Sequence, residues 1–96
     1  MKVIKSDGRY NFFKHGFNTI LEFRVRIRDE RDQYYNLTKA LDELYGAYRT
    51  FDAARIQYKL NDDYRLQLMS DNKRRRIYLK NESVVSLLLL KMETKA

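Results

Sequence analysis

Between residues 54 and 80 the chain alternates apolar and polar side chains three times over, with two short polar turns between the runs. This feature limits the possible folds more than any other. A period of two sends successive side chains to opposite faces of a strand. Runs joined by only a few turn residues can pair antiparallel but not parallel. In 54–60, Ile56, Tyr58 and Leu60 alternate with Arg55, Gln57 and Lys59. In 64–70, Tyr64, Leu66 and Leu68 alternate with Arg65, Gln67 and Met69. In 75–80, Ile77 and Leu79 alternate with Arg76, Tyr78 and Lys80. The apolar sets are expected to face a core and the polar sets solvent. Asn61-Asp62-Asp63 and Asp71-Asn72-Lys73-Arg74 have turn composition. An earlier run, 20–28, alternates in the same way, with Leu21, Phe23, Val25 and Ile27 against Glu22, Arg24, Arg26 and Arg28.

Between these strands the period changes. Tyr34, Leu37, Leu41, Leu44, Tyr48 and Phe51 are spaced by three and four residues, an apolar stripe that predicts a helix from Asp32 or Asn36 to about Phe51. A second helix is expected over 82–92, capped by Asn81, with Val84, Val85, Leu87, Leu88, Leu89, Leu90 and Met92 almost surrounding it. Near the N-terminus, Val3-Ile4 and Tyr10 to Phe13 read as two short strands around a Ser6-Asp7-Gly8 turn. The resulting order, β-β-β-α-β-β-β-α, predicts an α+β domain of two layers: an antiparallel sheet with both helices on one face. At 96 residues the chain has room for a single domain, 1–96. A helix apolar on every side needs cover beyond its own small domain, so Val85, Leu88, Leu89 and Met92 are expected in a homodimer or partner interface.

Composition excludes several kinds of chemistry. Without cysteine there is no disulfide, thiol catalysis or Cys-ligated metal, and one histidine cannot supply a two-imidazole site. Three glycines and no proline leave no phosphate-cradling loop. His15 has no acidic or nucleophilic partner at a recognisable spacing, and Asp42-Glu43 and Asp62-Asp63 read as ordinary helix and turn acids. No catalytic residue, metal or cofactor is therefore expected. No apolar run approaches the roughly 20 residues that span a bilayer, and none resembles a signal peptide. The expected setting is cytoplasmic, without membrane contact.

What remains is charge. There are 20 Lys+Arg against 13 Asp+Glu, a net charge of +7. On the alternation above, Arg24, Arg26, Arg28, Arg55, Lys59, Arg65, Arg76 and Lys80 share the outward sheet face, opposed by Glu22 alone. Lys73 and Arg74 project from its edge, and Tyr78 and Tyr35 are available for stacking. Guanidinium groups suit phosphates and a phenol ring suits an unpaired base. These eleven residues, Tyr35 aside, are the expected contacts for RNA or single-stranded DNA.

The α-β-β-β-α segment resembles the double-stranded RNA-binding domain in element order, although its second helix carries one lysine, Lys91, where that family has a cluster. Small basic toxin ribonucleases of the RelE/ParE type are similar in size and in their arginine-bearing strands, with a different element order. Neither resemblance reaches the level of a shared motif. The first expectation is a non-catalytic nucleic-acid-binding protein. The alternative is a small regulator or inhibitor, of the kind a phage or mobile element encodes, that docks its basic face on an acidic protein surface such as a nucleic-acid-processing enzyme. The third is a toxin-like ribonuclease.

Overall fold

The computed structural model describes residues 1–10, 12–53, 56–68 and 73–93. Its elements are β1 (Lys2–Lys5), β2 (Thr19–Arg24), α1 (Arg28–Tyr45), β3 (Arg49–Ala53), β4 (Ile56–Leu60), β5 (Tyr64–Leu68), β6 (Arg74–Leu79) and α2 (Glu82–Glu93). Among the described residues the strands form one antiparallel sheet in the order β1-β2-β6-β5-β4-β3. Both helices lie on one face, so the expected α+β two-layer domain is found. Leu21, Phe23, Tyr64, Leu66, Ile77 and Leu79 of the sheet pack there against Tyr34, Leu37, Ala40 and Leu41 of α1 and Leu88 of α2.

Four local expectations change. No strand forms at Tyr10–Phe13 among the described residues; Asn11 lies outside them, and Phe13–His15 is a 3-10 turn. This segment leaves β1 through a tight turn in which Asp7 accepts the Arg9 backbone N–H at 2.9 Å. It then crosses the face opposite the helices, where Phe17, Ile20 and Tyr78 form a second core flanked by Ile4, Tyr10 and Phe12.

β2 stops at Arg24 and α1 starts at Arg28, because the Ile27 N–H turns back to the Arg24 carbonyl at 3.2 Å. Asp29 and Glu30 then fall in the first helical turn, where their charge suits the helix dipole. Asp32 and Asn36 lie inside the helix instead of capping it.

α1 ends at Tyr45, six residues before the expected end at Phe51. Gly46 follows with φ +90°, a conformation costly to any residue with a Cβ. Its N–H closes the helix on the Asp42 carbonyl at 2.9 Å. Phe51 is thereby released into β3, opposite Tyr58 of β4.

The fourth change is the face of β4. Leu60 pairs with Arg65 and Lys59 with Leu66. Lys59 and Gln57 therefore share the helix side with Leu66, while Ile56, Tyr58 and Leu60 lie on the opposite side, the reverse of the expected facing. The register is set by the turn: Asn61 accepts the Asp63 N–H at 2.8 Å and its own N–H bonds the Tyr64 carbonyl at 3.0 Å. A one-residue difference in such a turn flips every side chain of the strand.

Candidate nucleic-acid interface

The residues expected on one open basic face are divided among three places. Arg65, Arg76, Tyr78 and Lys80 lie beneath or beside the N-terminal segment. Phe12 and Phe17 place their ring centroids 5.7 and 5.2 Å from the Arg65 guanidinium carbon. Tyr10 lies 5.7 Å from that of Arg76, and Phe17 lies 5.9 Å from the Lys80 ammonium. Tyr78 is 0% exposed and its hydroxyl bonds buried Gln67. Burial, the largest influence, pushes the Tyr78 phenol above its ordinary pKa. The expected stacking role fails for Tyr78 in this arrangement, because its ring has no free face. The chain's own aromatic residues occupy that platform.

Lys59 is separated from the others by the register of β4 and stands on the helix side, donating to the Tyr48 hydroxyl at 3.1 Å. Arg55 lies outside the described residues.

A third group does converge. Arg24 and Arg74 are direct cross-strand partners at one end of the sheet. The 25–27 turn is tied to the residue before β6 by the Val25 N–H on the Lys73 carbonyl, 2.8 Å. Arg24, Arg26, Ile27, Lys73 and Arg74 surround a cleft of about 440 Å³. A second cleft, of about 360 Å³, continues past Arg24 and Arg74 to Lys2, Glu22 and Glu30. Arg28 stands beside this end on the first turn of α1, exposed, 3.9 Å from Asp32. Glu30 accepts from Arg24 at 2.9 Å, and Glu22 from Arg74 at 3.4 Å. The Met1 amino group first, and Arg24 after it, hold the Glu30 carboxyl below the usual carboxylate range against the opposing effect of its burial. Five cationic side chains and the Met1 amino group thus line the two clefts against two carboxylates, both already engaged. Lys2 was not singled out in the sequence, because its place beside Glu22 depends on the β1–β2 pairing.

The interface expected on α2 is also redistributed. Leu88 is fully buried in the domain's own core, with Val84 and Val85 packed against it, and Leu89 is half-buried. Leu87 and Leu90, 47% and 59% exposed, are the apolar residues left to solvent. The Met92 side chain lies outside the described residues. His15 borders a cleft with Phe12, Phe51, Tyr58 and Leu60, none of them acidic. Among the described residues no helix is long and apolar enough to cross a membrane, and no cluster of His, Cys, Asp or Glu has metal-site geometry.

Comparison with family models, with curated proteins and with solved structures finds no significant match to this chain.

Proposed function

We propose that the protein binds RNA or single-stranded DNA without catalysing a reaction, and that the phosphates lie against the basic end of the sheet. The observation that carries this reading is the direct pairing of Arg24 with Arg74, with Arg26 and Lys73 around the same cleft. Like charges opposite one another on adjacent strands are destabilising. Two carboxylates moderate the repulsion, yet the cations still outnumber them, and a polyanion would complete the neutralisation. Guanidinium groups grip phosphate oxygens in pairs, and each contact displaces condensed counterions.

The test is filter binding of random RNA and random single-stranded DNA over a range of salt. With about four phosphate contacts, log affinity should fall against log salt with a slope near −3, at about 0.7 per contact. Replacing Arg24, Arg26 and Arg74 with Ala should make the slope shallower by about 2. An Arg9→Ala control, at an exposed residue paired only with Asp7 among the described residues, should leave it unchanged. The recovered RNA should be intact; shortened RNA would move the reading to a ribonuclease. Absence of binding at low salt would reject the nucleic-acid reading and direct the same cations to an acidic protein surface.

A further inference from the structure

A second concave site lies away from the basic end. It exists because of two local events already described. α1 stops at Gly46, so no helix covers β4, and the flipped register of β4 sets Lys59 into the space left open. The result is a groove of about 460 Å³ between the side of α1 and strands β4 to β6, lined by Tyr35, Lys39, Asp42, Tyr48, Lys59 and Arg75 among others.

Its chemistry has two parts. Tyr48 carries the Lys59 ammonium 4.8 Å from its ring centroid, and it is 40% exposed. Arg75 places its guanidinium carbon 5.2 and 5.6 Å from the Tyr34 and Tyr35 centroids, and Tyr35 is 51% exposed. Both outer tyrosines are therefore partly open to solvent. The Arg75 Nη1 reaches the Tyr35 hydroxyl at 3.3 Å, whereas its buried Nε has no hydrogen-bond partner among the described residues. Lys39, Lys59 and Arg75 face a single carboxylate in the lining, that of Asp42. A bare anion would make no use of the rings, and a neutral aromatic would make no use of the cations. A planar heterocycle joined to a phosphate uses both.

We infer that this groove receives one unpaired nucleotide. The base lies against Tyr48 or Tyr35, the phosphate meets Lys59, Lys39 or Arg75, and Asp42 accepts a hydrogen bond from an exocyclic amine. Base stacking on aromatic rings is largely indifferent to sequence, so the site suits a binder without strong base preference. The inference rests on the nucleic-acid reading in one respect. Arg74 and Arg75 are consecutive in β6 on opposite faces of the sheet, so a strand held by Arg74 would enter the groove by passing around the end of the sheet.

The experiment titrates the full chain with adenosine monophosphate, adenosine and inorganic phosphate separately, following the tyrosine ring and Lys59 side-chain resonances. Adenosine monophosphate should shift Tyr35, Tyr48 and Lys59 saturably, and adenosine more weakly. Tyr48→Ala and Lys59→Ala should each weaken the nucleotide by roughly tenfold, whereas Tyr48→Phe should retain most of the affinity. Arg9→Ala should bind within twofold of the parent. Circular dichroism of each variant separates lost binding from lost fold. Equal shifts with phosphate alone, or none with the nucleotide, would overturn the inference. Oligonucleotide binding with a steep salt slope but no response to the nucleotide leaves the basic-end reading standing and removes the groove. The converse result removes the basic end and leaves a mononucleotide site.

Discussion

Strands β2, β5 and β6 differ from β3 and β4 in how they are covered. Ile20 and Leu21 are neighbours in β2, both 0% exposed, yet Ile20 belongs to the core beneath the N-terminal segment and Leu21 to the core beneath the helices. Ile77, Tyr78 and Leu79 divide in the same way along β6. By contrast every residue of β4 is only half-buried, and Arg49 to Asp52 of β3 are exposed. A strand covered on both sides needs apolar residues in succession, whereas one covered on a single side can alternate. The enclosed centre and the candidate sites thus differ in how they are covered, and not in which strands carry them. Both candidate sites lie where cover stops, at the end of β2 and β6 and in the gap above β4.

The sharpest way to break this comparison is to truncate one large apolar side chain in each region. Ile77→Ala empties a fully enclosed position in the helix-side core and should cost about 2–5 kcal/mol in urea unfolding followed by circular dichroism. Phe51→Ala removes a ring that is 55% exposed and should cost less than about 1 kcal/mol. Amide exchange should follow the same division, fast in β3 and slow in β6. Comparable losses for the two variants would mean that β3 is covered in solution, for example by a second copy of the chain.

Alkaline pH probes the enclosed region with a smaller expected effect. Burial pushes the Tyr34 phenol up to about 12 from an ordinary 10.0, with the nearby Arg75 pulling the other way, and burial likewise pushes Tyr64 to about 12. Below pH 10 both folded and unfolded chains hold these protons, so the stabilisation is fully present. Between about 10 and 12 the unfolded chain releases them while the folded chain retains them, and stability falls; it is lost once the folded phenols ionise. For Tyr34 a displacement of this size corresponds to about 2–3 kcal/mol. Tyrosinate absorbance should show Tyr34 and Tyr64 titrating late, with Tyr78 also raised by its burial, and Tyr34→Phe should flatten the fall in stability over that interval. Ionisation of all eight tyrosines in one step near 10 would show that Tyr34 and Tyr64 are open to water.

Much of the enclosed region was legible in the sequence because its signals are local. The Tyr34, Leu37 and Leu41 stripe, the alternation in β5 and β6, and the Asn81 cap each depend on residues within one or two turns of one another. The open region was misread where two signals compete. Tyr48 and Phe51 continue the helical spacing of α1, while Arg49-Thr50-Phe51 also suits a strand, and the backbone of Gly46 decides between them. The facing of β4 depends on the count of residues in a turn, which alternation cannot register. Of the candidate basic contacts, Arg24 and Arg74 are fifty residues apart, and only the β2–β6 pairing brings them together. Tyr35 was recognised as available for stacking. Tyr48 reads as part of the helical stripe in the sequence, because its role depends on where α1 stops.

The smallest expected effect lies at the seam between the two regions. The Asn61 side-chain amide donates to the carbonyls of Tyr45, Gly46 and Ala47 at 3.3, 3.3 and 2.9 Å, and the Tyr64 hydroxyl adds a bond to Gly46 at 2.9 Å. These carbonyls follow the end of α1, where no further helical turn can satisfy them. The same Asn61 accepts the Asp63 N–H that shapes the β4–β5 turn. One side chain therefore fixes both the end of the helix and the register of β4, and with them the two walls of the groove. Asn61→Asp preserves the acceptor toward Asp63 but places a carboxylate against carbonyl oxygens, so it should cost about 1–2 kcal/mol. Asn61→Ala loses both roles and should cost a similar amount, with faster amide exchange in β4 and unchanged exchange in β6. If both variants match the parent in stability and β4 protection, the turn composition alone sets the register, and Asn61 has no part in holding the groove open.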